Sequence, residues 1–298
     1  MKKSLADKLN DINSTFDTKY LLQEKEDLNV VKDYYKINKI SYRLFHNWNG
    51  FLHMGISRNG IYKKTNLLEQ VKEVEKYIKS INAKNILELG AGRGANSFYL
   101  SKNNPSVTCY AIDVSTSPIN KYKRENFVFN FADYHNLSIF QDDFFDIIFA
   151  VETICHSNSK EIVLREVYKK LRKGGIFIIF DGYLNNDKNL LNEEQKLAST
   201  LIEKGMAVDE FETLQSFNKE IVNAGFFTLK EENLSQNILP TLYKFEKMAK
   251  IFFENKYLRK ILTFIFPEKV IRNSFSGYLM PTSIEEGIHL YIKHILQK

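Results

Sequence analysis

The stretch ILELGAGRGANSFYL, residues 86–100, decides the fold of this chain. It predicts an apolar strand that ends in Glu88, a turn that contains Gly90, Gly92 and Gly94, and a helix that begins near Ala95. Glycine allows a sharp turn and lets a ligand approach the backbone closely. The first N–H groups of the following helix have no partner within it and can bind a polar or anionic group. The stretch therefore predicts a ligand-binding strand–turn–helix unit.

Strands and helices alternate on both sides of this unit. The alternation predicts a parallel sheet with helices on both faces. A strand over residues 227–234 and a closing strand within residues 287–298 come later in the chain. The earlier predicted strands cover residues 85–89, 108–112, 127–131, 146–151 and 175–180, and the helices between them cover residues 95–102, 117–125 and 160–173.

Two classes of cofactor fit part of the glycine pattern. Residues 90–95, GAGRGA, satisfy the dinucleotide fingerprint G-x-G-x-x-[GA], in which Asp113 would hold a ribose. Three features favour the pattern E-x-G-x-G-x-G instead. Glu88 precedes the first glycine by two residues, and Asp113 ends the second strand. Asp133 follows the third strand, and a phenylalanine–aspartate pair that includes Asp146 opens the fourth.

Residues 86–181 resemble the class I methyltransferases, with the motifs in that family's order. The resemblance implies S-adenosylmethionine as cofactor and S-adenosylhomocysteine as product. It implies that Glu88 lies beneath the methionine part and that Asp113 accepts both ribose hydroxyls, because a carboxylate offers several lone pairs and no donor. Asp133 would meet the adenine amino group, with Tyr134 beside the ring. The implied cofactor-binding residues are Glu88, Gly90, Ala91, Gly92, Gly94, Asp113, Val114, Ala132, Asp133, Tyr134 and Val151.

The predicted fold class is α/β, a Rossmann-like doubly wound sheet of seven strands whose last strand is antiparallel. Residues 1–65 are predicted to form a helical N-terminal extension with a substrate-side loop, and residues 66–238 the methyltransferase core. Residues 239–280 are predicted to be a helical cap inserted into the core, and residues 281–298 its closing strand. We expect Gly92→Val to block the cofactor site and to leave the melting temperature largely intact.

The stretch VETICHS, residues 151–157, resembles the corresponding part of sterol and other terpenoid C-methyltransferases, in which an acidic residue precedes T-C-H. Here Ile154 separates Thr153 from Cys155, so the matching spacing is E-x-x-C-H. Residues 31–56 are similar to the tyrosine-rich helix and the W/H/G-rich loop of that group. Tocopherol-type and geranyl-diphosphate-type methyltransferases have the same general sequence features. The resemblance implies a small, largely apolar substrate and favours C-methylation of a terpenoid.

Glu152 and His156 are the candidate catalytic residues. In an alkene methylation, Glu152 would stabilise a developing carbocation or take the departing proton. In an O- or N-methylation of another metabolite, His156 would serve as the base, because its ordinary pKa is about 6.5. Lining or packing without chemistry is the alternative for both residues. The candidate substrate-binding residues are Tyr35, His46, Trp48, His53 and Asp181.

The predicted cap is basic and aromatic. Between Lys244 and Arg272 the chain has eight basic and three acidic residues, which accounts for most of its net charge of +6. Apolar residues at helical spacing predict a lid over an isoprenoid, acyl or aromatic substrate. The basic side predicts peripheral contact with a membrane surface or with a diphosphate group. A solvated helix face is the simpler alternative.

Other classes of function fit the sequence less well. The isoelectric point of about 8.9 suggests a nucleic-acid methyltransferase, but the chain has VETI where enzymes that methylate base amino groups often carry N/D-P-P-Y/F. The intact E-x-G-x-G-x-G pattern argues against a non-catalytic scaffold. Cys109 and Cys155 are too few for a disulfide framework or a metal site, so no metal is predicted. Without a signal-like or membrane-spanning stretch, a cytoplasmic enzyme is expected.

Overall fold

The computed structural model describes residues 3–18, 50–114, 118–119, 121–266 and 271–298. Their strands form one seven-stranded sheet in the order β3-β2-β1-β4-β5-β7-β6. Neighbouring strands from β1 to β5 are parallel, and β7 is antiparallel to both β5 and β6. The strands are β1 (Asn85–Leu89), β2 (Thr108–Asp113), β3 (Phe127–Phe131), β4 (Phe145–Val151), β5 (Leu171–Leu184), β6 (Phe227–Asn233) and β7 (His289–Gln297).

Helices flank this sheet, and the predicted α/β fold class with an antiparallel last strand is confirmed. Short 3-10 turns cover Lys64–Leu68, Ile154–His156 and Lys188–Leu190. In the described residues the α-helices are α1 (Leu5–Asn13), α2 (Glu69–Ser80), α3 (Ala95–Asn103), α4 (Lys160–Lys170), α5 (Glu193–Met206), α6 (Leu214–Asn223), α7 (Ser235–Glu254), α8 (Lys256–Ile265) and α9 (Asn273–Glu285).

The helix predicted over residues 117–125 is wrong for the part that is described. Residues 118–119 and 121–125 contain no helical turn. The Ile119 N–H donates to the Arg93 carbonyl at 3.3 Å, and the Tyr122 ring stacks on Phe98 with 4.2 Å between the ring centroids. This segment is therefore held by contacts with Arg93 and with Phe98 of α3 and by short local turn bonds, and it forms no helix of its own in its described part.

The central strand β4 is buried at every position, which explains why its sequence shows no polar alternation. Ile147, Phe149 and Val151 belong to the apolar layer on one face of the sheet. Phe145 and Ile148 belong to the layer on the other face. Burying a side chain of this size contributes about 1.5–3 kcal/mol, so β4 fixes the middle of the sheet and the position of the loop that follows it.

Helices α7, α8 and α9 lie between β6 and β7 in the chain. Helix α9 packs on α7 and α5, and α1 packs against all three. Lys8 of α1 is buried, and its Nζ donates to the Tyr278 carbonyl at 2.9 Å and to Thr282 Oγ1 at 2.7 Å, beside the carboxylate of Glu246. These charge-assisted bonds hold α1 against the late helices. No helix in the described part of the chain is long and apolar enough to cross a membrane.

Candidate active site

A cleft lies at the carboxyl ends of β1, β2 and β4. The space inside it is about 770 Å³ when the part open to solvent is included. Open α/β sheets bind their ligands at this edge. The residues that line the cleft are Gly50, Phe51, Leu52, His53, Glu88, Gly90, Ala91, Gly92, Ala95, Asn96, Asp113, Val114, Tyr134, Val151, Glu152, Thr153 and His156.

Most of the residues predicted from the sequence meet in this cleft. They include both candidate catalytic residues, Glu152 and His156, and the candidate substrate residue His53. Tyr35, His46 and Trp48 lie outside the described residues. Four predicted residues do not line the cleft: Gly94, Ala132, Asp133 and Asp181. The predicted cofactor residues that do are Glu88, Gly90, Ala91, Gly92, Asp113, Val114, Tyr134 and Val151.

The first two glycines of the turn after β1 require the absence of a side chain. Gly90 and Gly92 have φ angles of 56° and 54°, in the left-handed region. A Cβ at Gly90 would lie 1.9 Å from Thr153 Oγ1, and one at Gly92 would lie 2.9 Å from Leu52 Cδ1. The expectation that Gly92→Val leaves the melting temperature largely intact is therefore wrong, because valine is strained at this φ angle and meets Leu52.

Glu88 is buried beneath the turn and bound to the start of α3. Its Oε2 accepts from the Ser97 N–H at 3.0 Å and from Ser97 Oγ at 2.6 Å, and its Oε1 accepts from Asn96 Nδ2 at 2.9 Å. His53 Nε2 lies 3.1 Å from Asn96 Oδ1 and extends the chain of contacts to the loop before α2. Burial raises the pKa of Glu88 to about 7. This carboxyl fits an ammonium group, which would favour its ionised form.

Asp113 ends β2, the strand next to the one that carries Glu88, and also lines the cleft. Its Oδ2 accepts the Gly92 N–H at 2.9 Å, which fixes the carboxylate beside the glycine turn. Asp133 is placed differently from the prediction: its side chain is half-exposed, and its Oδ1 binds the N–H and Nδ1 of His135. Tyr134 does line the cleft, and its hydroxyl donates to the Thr153 carbonyl at 3.2 Å. A ribose fits the Asp113 side of this wall.

Glu152 follows β4 with a φ angle of 51°, a strained value for a residue with a side chain. Its Oε1 accepts from the Met54 N–H and from the Tyr291 hydroxyl, each at 2.8 Å. Its Oε2 accepts no hydrogen bond from any residue that the structure describes. Burial raises the pKa of Glu152 to about 8. One carboxylate oxygen is thus held in place, and the other is left for a ligand in the cleft.

Asp181 supports the loop that carries Glu152 and His156, and it does not face the cleft. It is 1% exposed and lies near the carboxyl end of β5. Its Oδ2 accepts from the N–H groups of Thr153, Ile154 and Cys155 at 2.7–3.2 Å, and its Oδ1 accepts from Gly182 N at 2.8 Å. The substrate-binding role predicted for Asp181 is therefore replaced by a structural one, since backbone donors occupy both of its oxygens.

His156 ends the short turn that Asp181 holds. Its Nδ1 lies 3.2 Å from the Ala207 carbonyl, so this nitrogen carries a proton when it donates there. Burial lowers the pKa of His156, which favours the neutral imidazole at neutral pH. A neutral imidazole at the wall of the cleft is chemically able to accept a proton.

The raised pKa of Glu152 makes a testable contribution to stability. Its folded-state pKa of about 8 lies above the ordinary value of 4.5, so the folded chain binds more protons than the unfolded chain between these values. The stabilising contribution is complete below about pH 4.5 and is lost as the pH rises through about 8. We expect urea unfolding between pH 5 and pH 8 to give Glu152→Gln a growing advantage over the unsubstituted chain, by up to about 1.4 kcal/mol per pH unit.

This comparison isolates Glu152 from histidines whose pKa is lowered by burial, such as His289, because they titrate equally in both chains. Parallel stability curves for the two chains over this pH range would contradict the raised pKa. Glutamine is the suitable replacement, since its Oε1 can still accept from Met54 and Tyr291.

Three residues that matter for the site were not predicted from the sequence. Asn96 had a local signal, because it lies in the first turn of the helix after the glycines. Met54 and Tyr291 had no local sequence signal, because Met54 is 98 positions and Tyr291 139 positions from Glu152 in the chain.

Comparison with known proteins finds similarity to methyltransferases. Residues 87–179 match the family model of a methyltransferase domain. The chain is 30% identical over 98 residues to sterol 24-C-methyltransferase of Saccharomyces cerevisiae, a match that covers 33% of this chain and 26% of that protein. It is 24% identical over 190 residues to phosphoethanolamine N-methyltransferase of Triticum aestivum, covering 61% and 36% of the two chains. The matched stretches thus span only about a quarter to a third of these relatives' lengths.

A solved structure extends the likeness over most of the chain. Geranyl diphosphate C-methyltransferase from Streptomyces coelicolor, in complex with Mg²⁺, geranyl diphosphate and S-adenosylhomocysteine, superposes with a TM-score of 0.60 at 11% identity. The match covers 90% of this chain and 96% of that one. At this identity it shows the fold. Together with the sequence matches it supports S-adenosylmethionine as the cofactor, as predicted.

Proposed function

We propose that this chain, a class I S-adenosylmethionine-dependent methyltransferase, transfers the methyl group to a carbon atom of a small, largely apolar metabolite of the isoprenoid or terpenoid kind. The observation that carries the proposal is the arrangement of Glu152. Its Oε1 is held by two donors, and its Oε2 has no partner among the described residues. A cleft that offers one oriented carboxylate oxygen beside apolar side chains suits a substrate that develops positive charge on carbon.

The wall around Glu152 supports an apolar substrate. Phe51, Leu52 and Val151 line the same cleft. The sequence likeness to sterol 24-C-methyltransferase and the structural likeness to geranyl diphosphate C-methyltransferase point to the same chemical class of substrate. These side chains suit the apolar part of a substrate, because burying a charge against them without a partner is costly.

Different residues of the cleft would bind the cofactor and act on the substrate. Bound S-adenosylmethionine supplies a methyl group activated by its sulfonium. Glu88 would hold the ammonium of the cofactor and Asp113 the ribose. An alkene carbon that gains a methyl group leaves a positive charge, which is lost when a neighbouring C–H bond breaks and its electrons form the new double bond. Glu152 Oε2 stabilises that charge and accepts the proton, in the role of a general base.

Residues 239–280, which begin within α7 and end within α9, are proposed to act as a cap over the substrate. Their link to the cleft runs through the loop that follows Gly50. Thr241 Oγ1 accepts from Gly55 N at 3.2 Å and donates to Gly55 O at 3.1 Å, and the Asn237 carbonyl accepts from Ser57 N at 2.7 Å. The cap therefore holds the strip of chain that carries His53 and Met54, although the residues that line the described cleft come from outside the cap.

O- or N-methylation of another metabolite is the second candidate. His156 at the cleft wall favours it, because burial lowers the pKa of the ring and leaves it neutral and able to accept a proton. The likeness to phosphoethanolamine N-methyltransferase points in the same direction. In that case His156 would remove a proton from a hydroxyl or ammonium group, and Glu152 would only orient the substrate.

The experiment is a substrate panel with methyl-labelled S-adenosylmethionine. The panel contains isoprenoid alcohols and diphosphates, sterols, phenols and amines, and products are identified by mass spectrometry. We expect label on carbon in an isoprenoid or sterol product. Label confined to oxygen or nitrogen would replace the proposal with the second candidate. Binding of S-adenosylhomocysteine without transfer to any compound class would overturn both.

A further inference from the structure

Helix α8 presents an apolar surface to solvent. Four of its residues lie on one face at helical spacing, at i, i+4, i+7 and i+8. Their exposed fractions are 85% for Tyr257, 55% for Ile261, 92% for Phe264 and 59% for Ile265. We call these four residues the α8 stripe. Single exposed apolar residues are ordinary, but a contiguous stripe that includes two aromatic rings marks a contact surface.

The other side of α8 is attached to the protein, so the stripe has a fixed direction. Leu262 and Phe266 pack against the main apolar core. Asn255 caps the helix by accepting from the N–H groups of Tyr257 and Leu258 at 3.1 Å and 3.0 Å. Arg259 donates to the Phe253 carbonyl at 2.9 Å. Because these contacts hold the helix from one side, the stripe faces away from the body of the chain.

The charges beside the stripe are all positive. From Lys256 to Pro267 the sequence contains three basic residues and no acidic one. Lys256 and Lys260 are exposed, and neither has a carboxylate within ion-pair distance in the described part of the chain. Being four residues apart, they form a row next to the row of Tyr257 and Ile261. An apolar face bordered by unpaired lysines complements a surface that is apolar inside and anionic outside.

We propose that the α8 stripe docks into the interface of an anionic lipid bilayer, with its side chains among the acyl chains and with Lys256 and Lys260 at the lipid phosphates. The biological reason for docking rests on the proposed function. An apolar substrate is concentrated in membranes, and docking would bring the cap of residues 239–280 to the membrane that contains it. A helix of ten residues that lies in the interface needs no spanning segment. Aromatic rings and lysines are the residues that such interfaces favour.

Vesicle cosedimentation tests the docking with the intact chain. The vesicles contain phosphatidylcholine alone or phosphatidylcholine with phosphatidylglycerol, at low and high salt. We expect binding to the anionic vesicles, weakened by salt. Tyr257→Ser together with Phe264→Ser should weaken binding by about tenfold or more, because two apolar rings are withdrawn from the lipid. Lys256→Gln together with Lys260→Gln should weaken it by about fivefold for each charge removed.

Matched variants elsewhere on the surface serve as controls. Leu190→Ser removes another apolar side chain, 77% exposed. Lys63→Gln together with Lys64→Gln removes two exposed lysines from a different region. Both controls should bind vesicles as the unsubstituted chain does, and circular dichroism should show all variants folded.

Three outcomes would overturn the inference: no binding to anionic vesicles, equal binding by the stripe and control variants, or a dimer that the stripe variants dissociate while vesicle binding is absent. Binding is read without any substrate, so the two proposals fail separately. A chain that binds vesicles through the stripe but methylates no isoprenoid keeps the docking surface and loses the proposed function.

Discussion

Glu152→Gln is expected to lower turnover by roughly 10²–10³-fold on the true substrate while leaving the affinity for S-adenosylhomocysteine within about threefold. Glutamine keeps an oxygen that can accept from Met54 and Tyr291, so the loop and the cofactor site are preserved. What is lost is the negative charge and the basic oxygen that face the substrate. The measurement is a single-turnover assay combined with calorimetric titration of S-adenosylhomocysteine.

Two further variants test whether Glu152 acts as a base and which kind of atom accepts the methyl group. Tyr291→Phe removes one donor to Glu152 Oε1, and that donor lowers the pKa of the carboxyl. The pH at which turnover begins should therefore shift upward in Tyr291→Phe, a change that a merely structural tyrosine would not produce. His156→Ala decides between the chemistries: it should lower turnover by about tenfold or more if the acceptor is oxygen or nitrogen. Full turnover in both Glu152→Gln and His156→Ala would refute the site.

Asp113→Ala is expected to weaken S-adenosylhomocysteine binding by roughly 1.5–3 kcal/mol, or about 10- to 150-fold in Kd. The carboxylate at the end of β2 would accept two ribose hydroxyls through charge-assisted bonds, and alanine leaves those hydroxyls without a partner at the cleft wall. Isothermal titration of the folded variant measures the effect.

Asp113 also accepts the Gly92 N–H, so a second variant separates the two roles. Asparagine keeps an oxygen for Gly92 but replaces the other acceptor with a donor. We expect Asp113→Asn to remain as stable as the unsubstituted chain and still to bind S-adenosylhomocysteine weakly. Asp209→Ala, which removes an exposed carboxylate away from the cleft, is the control. Unchanged affinity in both Asp113 variants would exclude the ribose contact.

The number of strands and their positions along the chain could be predicted from the sequence, because most of the strands are short apolar runs bounded by turns or helices. β1 and β3 begin and end at the predicted residues. β5 is longer than predicted, from Leu171 to Leu184, because Leu171 pairs with β4 and the other end pairs with β7 as far as Leu184. That pairing joins distant parts of the chain, and no local pattern records it. The helix over residues 117–125 was predicted wrongly for a similar reason, because contacts with α3 override the local preference for helix.

The candidate site, like the fold, could be predicted from the sequence only in part. The glycine turn, Asp113 and Glu152 lie next to strand ends, so their motifs could place them together. The partners that orient Glu152 could not be predicted, because Met54 comes from the loop before α2 and Tyr291 from β7. Asp181 was assigned to the cleft because it comes at the end of the predicted fifth strand, residues 175–180, and only the structure shows that its carboxylate binds the backbone of residues 153–155.

The position of β7 in the sheet has a consequence for how the chain folds during synthesis. β7 lies between β5 and β6 and is made after both of them. Until it emerges from the ribosome, β6 has no neighbour among the strands that the structure describes, and the edge of β5 is open along the length that β7 later covers. Helices α7 to α9 are made in that interval, before the strand that completes the sheet. Open strand edges are prone to wrong pairing, so this interval is the period in which the nascent chain most needs protection from aggregation.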